Sequence, residues 1–142
     1  MKTTILALTL FATAFATTTT QAETFDGKRA LLCSAFRMFE CDLAGGCVPV
    51  SADELGISGS WNLDFRKKTL TGTNATASTN TIDRSELLDG KLFLSGIQDG
   101  LPDERDGVAW SISINNPDGV MAMTVAGERV GYVGLGSCVP AD

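Results

Sequence analysis

Four cysteines limit the folds open to this chain more than any other feature. Cys33, Cys41, Cys47 and Cys138 are separated by seven, five and ninety residues. These gaps contain no C-x-x-C motif and the chain has no histidine, so the pattern fits neither a zinc site nor a thioredoxin-like redox pair. In a small exported domain an even number of cysteines predicts two structural disulfides.

The amino terminus has the pattern of a secretory leader. Lys2 gives a positive start, residues 5–16 are apolar, and residues 17–22 are small or polar. This order predicts a signal peptide over residues 1–22 that is cleaved after Ala22, with cleavage after Ala16 as the alternative. We therefore expect a periplasmic or secreted protein.

Removal of 22 of the 142 residues leaves 120, which is enough for a single domain, 23–142. The whole chain carries 11 basic and 17 acidic residues, a net charge of −6. Such a surface repels phosphate backbones and anionic lipids, so nucleic acid and membrane surfaces are poor partners. No segment after the leader approaches the roughly 20 apolar residues of a transmembrane helix, so we expect no membrane span.

Sequence alone allows three disulfide pairings, and we favour one of them. Cys41 with Cys47 would close the short loop 42–46. Cys33 with Cys138 would tie the amino-terminal segment to the last strand and close a loop of about a hundred residues. Chain entropy gives that bridge on the order of 4 to 5 kcal/mol, so we expect it to matter more.

The segment between Gly27 and Cys41 has apolar residues at helical spacing. They are Leu31, Leu32, Ala35, Phe36 and Phe39. A strand would put Arg37 on the same face as Leu31 and Phe39, so the pattern favours a helix, with Asp26 as its N-cap. Downstream, Ser51 and Glu54 have capping-box spacing for a short turn.

From Trp61 onward the apolar pattern changes to a period of two, which is typical of half-buried strands. The alternating stretches are 61–65, 92–94, 108–114, 120–126 and 130–137. Asp89 and Gly90 suit a tight hairpin, and the segment 116–119 suits a turn that ends in a left-handed glycine. The threonine-rich stretch Thr69–Thr81 predicts an exposed hairpin or loose edge.

These elements predict an α+β fold that is mainly β. We expect an antiparallel meander that forms a curved sheet or a small, partly closed barrel of about six strands. The single amino-terminal helix would pack on the sheet and cover one face.

The chain resembles a family of small exported bacterial proteins with four cysteines and no assigned function. The residues that carry the resemblance are 30–33, 40–41, 45–47, 63–65, 89–90, 110–111 and 136–138. The resemblance implies a bacterial periplasmic or secreted setting and supplies no catalytic residue. A broader similarity to small β-barrel lysozyme inhibitors of bacterial envelopes rests on size, export and cysteines, without their characteristic loop.

We predict no enzyme and no cofactor. Without histidine, acid and base chemistry would fall to carboxylates, lysine, tyrosine or a free thiol, and no serine lies in a G-x-S-x-G motif. Asp64 with Glu40 or Glu54 is the carboxylate pair we considered. The alternation around Asp64 favours an outward, solvated carboxylate instead.

The most acidic segment lies between two predicted strands and contains Asp99, Asp103, Glu104 and Asp106. Carboxylate oxygens are calcium ligands, so this loop is a calcium hypothesis. The spacing does not follow the EF-hand order, and Arg105 would oppose the metal. We therefore favour an ordinary loop with no metal.

The leading functional hypothesis is a non-enzymatic binding or inhibitory module of the bacterial cell envelope, with another envelope or extracellular protein as partner. The alternatives are a structural or maintenance protein of the envelope and, less favoured, a carboxylate-based enzyme. A deep concave pocket with convergent polar groups would favour a ligand or catalysis, whereas a filled interior would favour protein contacts.

Overall fold

The computed structural model describes residues 25–75, 78–100 and 106–141, which form one antiparallel sheet of ten strands. The strands are β1 Leu31–Asp42, β2 Gly46–Val50, β3 Ser60–Asp64, β4 Thr69–Gly72, β5 Thr79–Thr81, β6 Arg84–Leu88, β7 Lys91–Gln98, β8 Val108–Asn115, β9 Val120–Ala126 and β10 Val130–Pro140. Their order is β5-β4-β3-β1-β10-β9-β8-β7-β6, and β2 pairs with β1 beside this path. The predicted signal peptide lies outside the described residues.

The predicted α+β class is wrong, because the described part of the chain is all β. It curls into a half-barrel of nine strands along the path rather than about six, and none of its described residues form an amino-terminal helix. Within residues 25–75, 78–100 and 106–141 there is no helix with the length and apolarity needed to cross a bilayer.

A β-bulge explains why β1 has the apolar spacing of a helix. Ala35 pairs with Gly136 of β10 and Arg37 pairs with Leu135, so Phe36 has no partner and is 72% exposed. The extra residue shifts the alternation by one position. Buried side chains therefore fall at Leu31 and Cys33 before the bulge but at Met38 after it.

The same shift removes the argument that favoured a helix. A regular strand would turn Arg37 to the face of Leu31, but after the bulge Arg37 is exposed. Asp26 is not a helix N-cap either. Its carboxylate accepts a hydrogen bond from the Lys28 amide at 3.0 Å and forms an ion pair with Lys28 Nζ at 2.8 Å. Both contacts lie in the turns that precede β1.

The period-two stretches are confirmed as strands β3, β7, β8, β9 and β10. Asp89 and Gly90 have φ values of 49° and 70° and form the tight turn between β6 and β7, and Gly119 has φ 72°. The predicted exposed hairpin is β4–β5, with Thr71 opposite Thr79. Strand β6 was not predicted, because all five of its residues are exposed and show no alternation.

The two ends of the sheet approach each other through the segment between β5 and β6. The Ile82 amide donates to the Lys68 carbonyl at 2.8 Å, and the Asp83 amide donates to the Ser95 carbonyl at 3.0 Å. The Asp83 carboxylate accepts a further hydrogen bond from the Ile97 amide at 3.0 Å. These bonds hold the curled shape, so that inward side chains from both ends share one core.

One end of the half-barrel is filled. Its largest fully buried side chains are Leu31, Leu63, Leu92, Leu94, Ile112, Ile114, Met121 and Cys33. Phe25 is also buried and lies against Gly119, where an added Cβ would come 2.6 Å from the Phe25 ring. Close packing at this end leaves the opposite end, near Trp61 and Trp110, as the place for an opening.

The structure joins Cys33 to Cys138 and Cys41 to Cys47, which is the pairing we favoured among the three. Both bridges link residues that lie directly opposite each other on neighbouring antiparallel strands. The Cys138 amide donates to the Gly119 carbonyl of the turn before β9, so it points away from β1. Directly opposed residues of this kind bring their Cβ atoms close enough for a disulfide.

The two bridges should differ in their effect on stability. They close sequence separations of 105 and 6 residues, for which chain entropy gives about 5 and about 2 kcal/mol. We expect the double variant Cys33→Ala/Cys138→Ala to lose about 3 kcal/mol more unfolding free energy than Cys41→Ala/Cys47→Ala. Urea denaturation measures both, and equal losses would contradict the entropic explanation.

Candidate functional site

A cavity of about 460 Å³ occupies the end of the half-barrel that the core does not fill. Its walls come from the inner faces of β3, β4, β8 and β9, and the connection between β2 and β3 contributes residues 55–58. Apolar side chains on the inner faces include Leu70, Val108, Ile112, Met123 and Val125. The volume and the mainly apolar walls are typical of a small-molecule site.

Both tryptophans of the chain line this cavity, Trp61 from β3 and Trp110 from β8. They are 8% and 7% exposed. Each lies opposite a glycine on the next strand, Gly72 on β4 and Gly96 on β7. A glycine leaves room above the sheet for a large ring, so the register of these pairs determines where the rings lie.

Gly96 is the clearer case. A Cβ at this position would come 2.5 Å from Cζ2 and 2.7 Å from Cε2 of the Trp110 indole, and it would also meet the Thr81 carbonyl oxygen. Contacts this short do not occur between real side chains, so only glycine fits there without displacement of the ring. The position of Trp110 therefore depends on the absence of a side chain at Gly96.

The indole nitrogen of Trp110 is a fully buried polar atom that lacks a partner among the described residues. Nε1 is shielded from solvent and no described atom accepts its hydrogen bond. Indole N–H is a donor only, so it needs an acceptor. A buried donor without an acceptor costs about 1–3 kcal/mol, and native structures contain few of them.

The segment over the cavity is held by short polar contacts. The predicted capping box is confirmed: the Ser51 amide donates to the Glu54 carboxylate at 2.7 Å, and the Glu54 amide donates to the Ser51 hydroxyl at 3.2 Å. Ser58 is buried, donates to the Ser60 carbonyl at 2.7 Å and accepts from the Thr73 amide at 2.8 Å. These bonds attach residues 51–58 to β3 and to the end of β4.

Polar side chains at the cavity are mostly amides and hydroxyls, from Asn74, Ser78, Asn80 and Gln98. Tyr132 of β10 also lines it and lies opposite Glu40 of β1. Burial, and then the negative charge of Glu40, raises the pKa of the Tyr132 phenol. The phenol is therefore neutral at physiological pH.

Separate partners hold the three carboxylates that were considered for acid and base chemistry, which are Asp64, Glu40 and Glu54. Asp64 accepts hydrogen bonds from the Arg66 and Lys67 amides at 3.0 Å each, in the turn between β3 and β4. The Lys67 amide is the main cause that lowers the pKa of Asp64. Glu54 binds Ser51, whose amide lowers the pKa of Glu54, and Glu40 contacts Tyr132. Each carboxylate thus has its own local partner.

The calcium hypothesis involves residues that the structure describes only in part. Asp103 and Glu104 lie outside the described residues, whereas Asp99 and Asp106 are described. Among the described residues, no three His, Cys, Asp or Glu side chains form a group able to hold a metal ion. Asp106 is at the cavity, a location that sequence reasoning did not anticipate.

Comparisons of the chain with protein-family models, with curated proteins and with solved structures find no match. The candidate site therefore depends on its own geometry.

The contact between Gly96 and the Trp110 ring predicts a local effect of one methyl group. Gly96→Ala should lower the unfolding free energy by about 1–3 kcal/mol, as overpacking does, and should change the tryptophan fluorescence. Gly131→Ala is the matched control, because a Cβ there meets only the Val125 carbonyl oxygen at 3.6 Å. Equal effects of the two variants would show that the ring does not need the space at Gly96.

The raised pKa of Tyr132 is directly measurable, because the chain contains one tyrosine. Absorbance at the tyrosinate band should titrate with a midpoint above the value of an unburied tyrosine, about 10. In urea the midpoint should return to that value. Glu40→Gln should lower the native midpoint, because it removes the neighbouring charge, but not fully, because burial is the larger cause. A native midpoint equal to the one in urea would contradict this description.

Proposed function

We propose that this protein is a non-enzymatic binding module of the bacterial cell envelope whose ligand is a small, largely apolar molecule. The proposed site is the cavity between the inner faces of β3, β4, β8 and β9 and residues 55–58. In this proposal the sheet and its disulfides form the scaffold.

The observation that carries the proposal is a cavity of about 460 Å³ that is lined by both tryptophans and by apolar side chains such as Leu70, Ile112 and Met123. A ligand of matching size would cover this apolar wall and release water from it. A filled interior would offer no such gain.

The chemistry of the described residues supports binding rather than catalysis. All four cysteine sulfurs of the chain are in disulfides, so no thiol serves as a nucleophile. The cavity presents amides, hydroxyls and aromatic rings, and the carboxylates Glu40, Glu54 and Asp64 have local partners. Groups of this kind orient a ligand and give specificity.

The two disulfides indicate an oxidising compartment outside the cytoplasm. The leader predicted over residues 1–22 supports export, and the resemblance to small exported bacterial proteins supports an envelope or secreted setting. Within the proposal, the protein would meet its ligand in the periplasm or outside the cell.

Blocking the cavity tests the proposal. The probe is N-phenyl-1-naphthylamine, an uncharged dye that fluoresces in apolar surroundings. We expect the wild-type protein to enhance its emission in a saturable way. We expect Val108→Trp, on the inner face of β8, to weaken dye binding at least about tenfold, equivalent to 1.4 kcal/mol.

Ala109→Trp is the matched control, because Ala109 is the next residue of β8 and is exposed on the outer face. It should bind the dye within about twofold of wild type. Near-ultraviolet circular dichroism checks that both variants are folded. Absence of binding to the wild type, or equal binding by both variants, would refute the cavity as the site.

A further inference from the structure

We infer that a second cleft, where the two ends of the sheet approach each other, binds the phosphate group of an anionic ligand. This cleft has a volume of about 330 Å³ and lies between the β3–β4 turn, the start of β6 and the turn that precedes β1. Lys68 of the β3–β4 turn and Arg84 of β6 both line it. None of the described residues lines both this cleft and the apolar cavity, so the inference is independent of the proposed function.

Positive charge is concentrated around this cleft although the whole chain has a net charge of −6. Among the residues that line the cleft or lie within two positions of a lining residue, six are basic and four are acidic, a local net charge of +2. The basic residues are Lys28, Arg29, Arg66, Lys67, Lys68 and Arg84, and the acidic ones are Asp26, Asp64, Asp83 and Glu86. Because salt screens charges beyond about 8 Å, this local charge decides what binds in the cleft, and it favours an anion.

Ion pairs compensate only part of this positive charge. Acidic neighbours at 2.8 to 3.4 Å pair with three of the six basic residues, which are Lys28, Lys67 and Arg84. The Asp83 carboxylate is bonded to the Ile97 amide instead. Among the described residues, no ion pair involves Arg29, Arg66 or Lys68. These three charges are therefore available to an anionic ligand.

The backbone of Lys68 gives independent support for a functional role. Its φ is 55°, in the left-handed region that favours glycine and disfavours residues with a side chain. The Lys68 carbonyl accepts a hydrogen bond from the Ile82 amide at 2.8 Å, which holds the residue at the cleft. The chain thus has a cation at a position where glycine would be less strained, and such residues are concentrated at functional sites.

Lys68 and Arg84 together suit a phosphate group. Phosphate has several acceptor oxygens, so one group can accept hydrogen bonds from an ammonium and a guanidinium at once. Arg84 uses Nη2 to contact Glu86 at 2.9 Å, and a guanidinium has five N–H donors, so others remain for a ligand. Ile82 is buried and Phe65 is half-buried beside them, and this apolar surface strengthens charge interactions in the cleft.

Inorganic pyrophosphate is the probe that tests the cleft, with amide shifts in nuclear magnetic resonance as the readout and chloride as the reference anion at constant ionic strength. We expect saturable shifts at residues 65–68 and 82–86 with pyrophosphate and none with chloride. Lys68→Gly and Arg84→Gln should each weaken binding about threefold or more, because each removes one exposed charge contact. Glu86→Gln should tighten binding, because it removes a negative charge and frees Arg84.

Two controls separate loss of the site from loss of the fold. Lys68→Gly should not lower the melting temperature, because glycine adopts the left-handed φ of this position freely, so weaker binding by this variant is not caused by unfolding. Arg129→Gln removes the same charge from the exposed turn between β9 and β10. It should bind pyrophosphate within about 1.5-fold of wild type, because distant exposed charges are screened.

Vesicles distinguish a lipid headgroup from a soluble phosphate as the source of the ligand. Binding to vesicles of phosphatidate in phosphatidylcholine that is absent with phosphatidylcholine alone and reduced by Lys68→Gly would identify a lipid headgroup. Binding of pyrophosphate without binding of these vesicles would identify a soluble phosphate. Absence of binding to both probes, or equal binding by wild type, Lys68→Gly and Arg84→Gln, would overturn the inference and leave the proposed function of the apolar cavity standing.

Discussion

The pairing of β1 with β10 is the constraint on which the rest of the structure depends. It is the seam where the sheet path β5-β4-β3-β1 meets β10-β9-β8-β7-β6. The seam joins residues 105 apart in sequence, and the Cys33–Cys138 bridge lies within it, fully buried. Contacts this distant along the chain are entropically expensive to form. A covalent link between directly opposed residues lowers the entropy of the unfolded chain, so less entropy is lost on folding.

The same register connects the seam to the cavity. Cys33 lies opposite Cys138 on one side and opposite Trp61 on the other. The disulfide therefore fixes the strand that positions one aromatic wall of the cavity. The other wall is fixed by the Trp110 and Gly96 pair, in which the missing side chain makes room for the ring. Large rings opposite glycines leave a cavity at one end of the half-barrel. The close-packed leucine and isoleucine side chains at the other end leave none.

The sequence predicted the regular strands well and the irregular one badly. Alternation in 108–114 and 120–126 was readable because each strand buries one face and exposes the other. In β1 the bulge at Phe36 moved the buried positions, and the resulting pattern favoured a helix. Strand β6 buries no residue, so it carried no pattern at all. The cavity arises from cross-strand partners such as Trp110 and Gly96, and these are fourteen residues apart, so no local pattern marks them.

A preformed cavity changes what a binding module must lose when it binds. Ser58 and the Ser51–Glu54 contacts hold the connection over the cavity, and the disulfide seam holds Trp61. Side chains that are already ordered lose little conformational entropy on association, so more of the contact energy appears as affinity. A scaffold that is rigid for reasons of stability is thus also suited to recognise a small molecule.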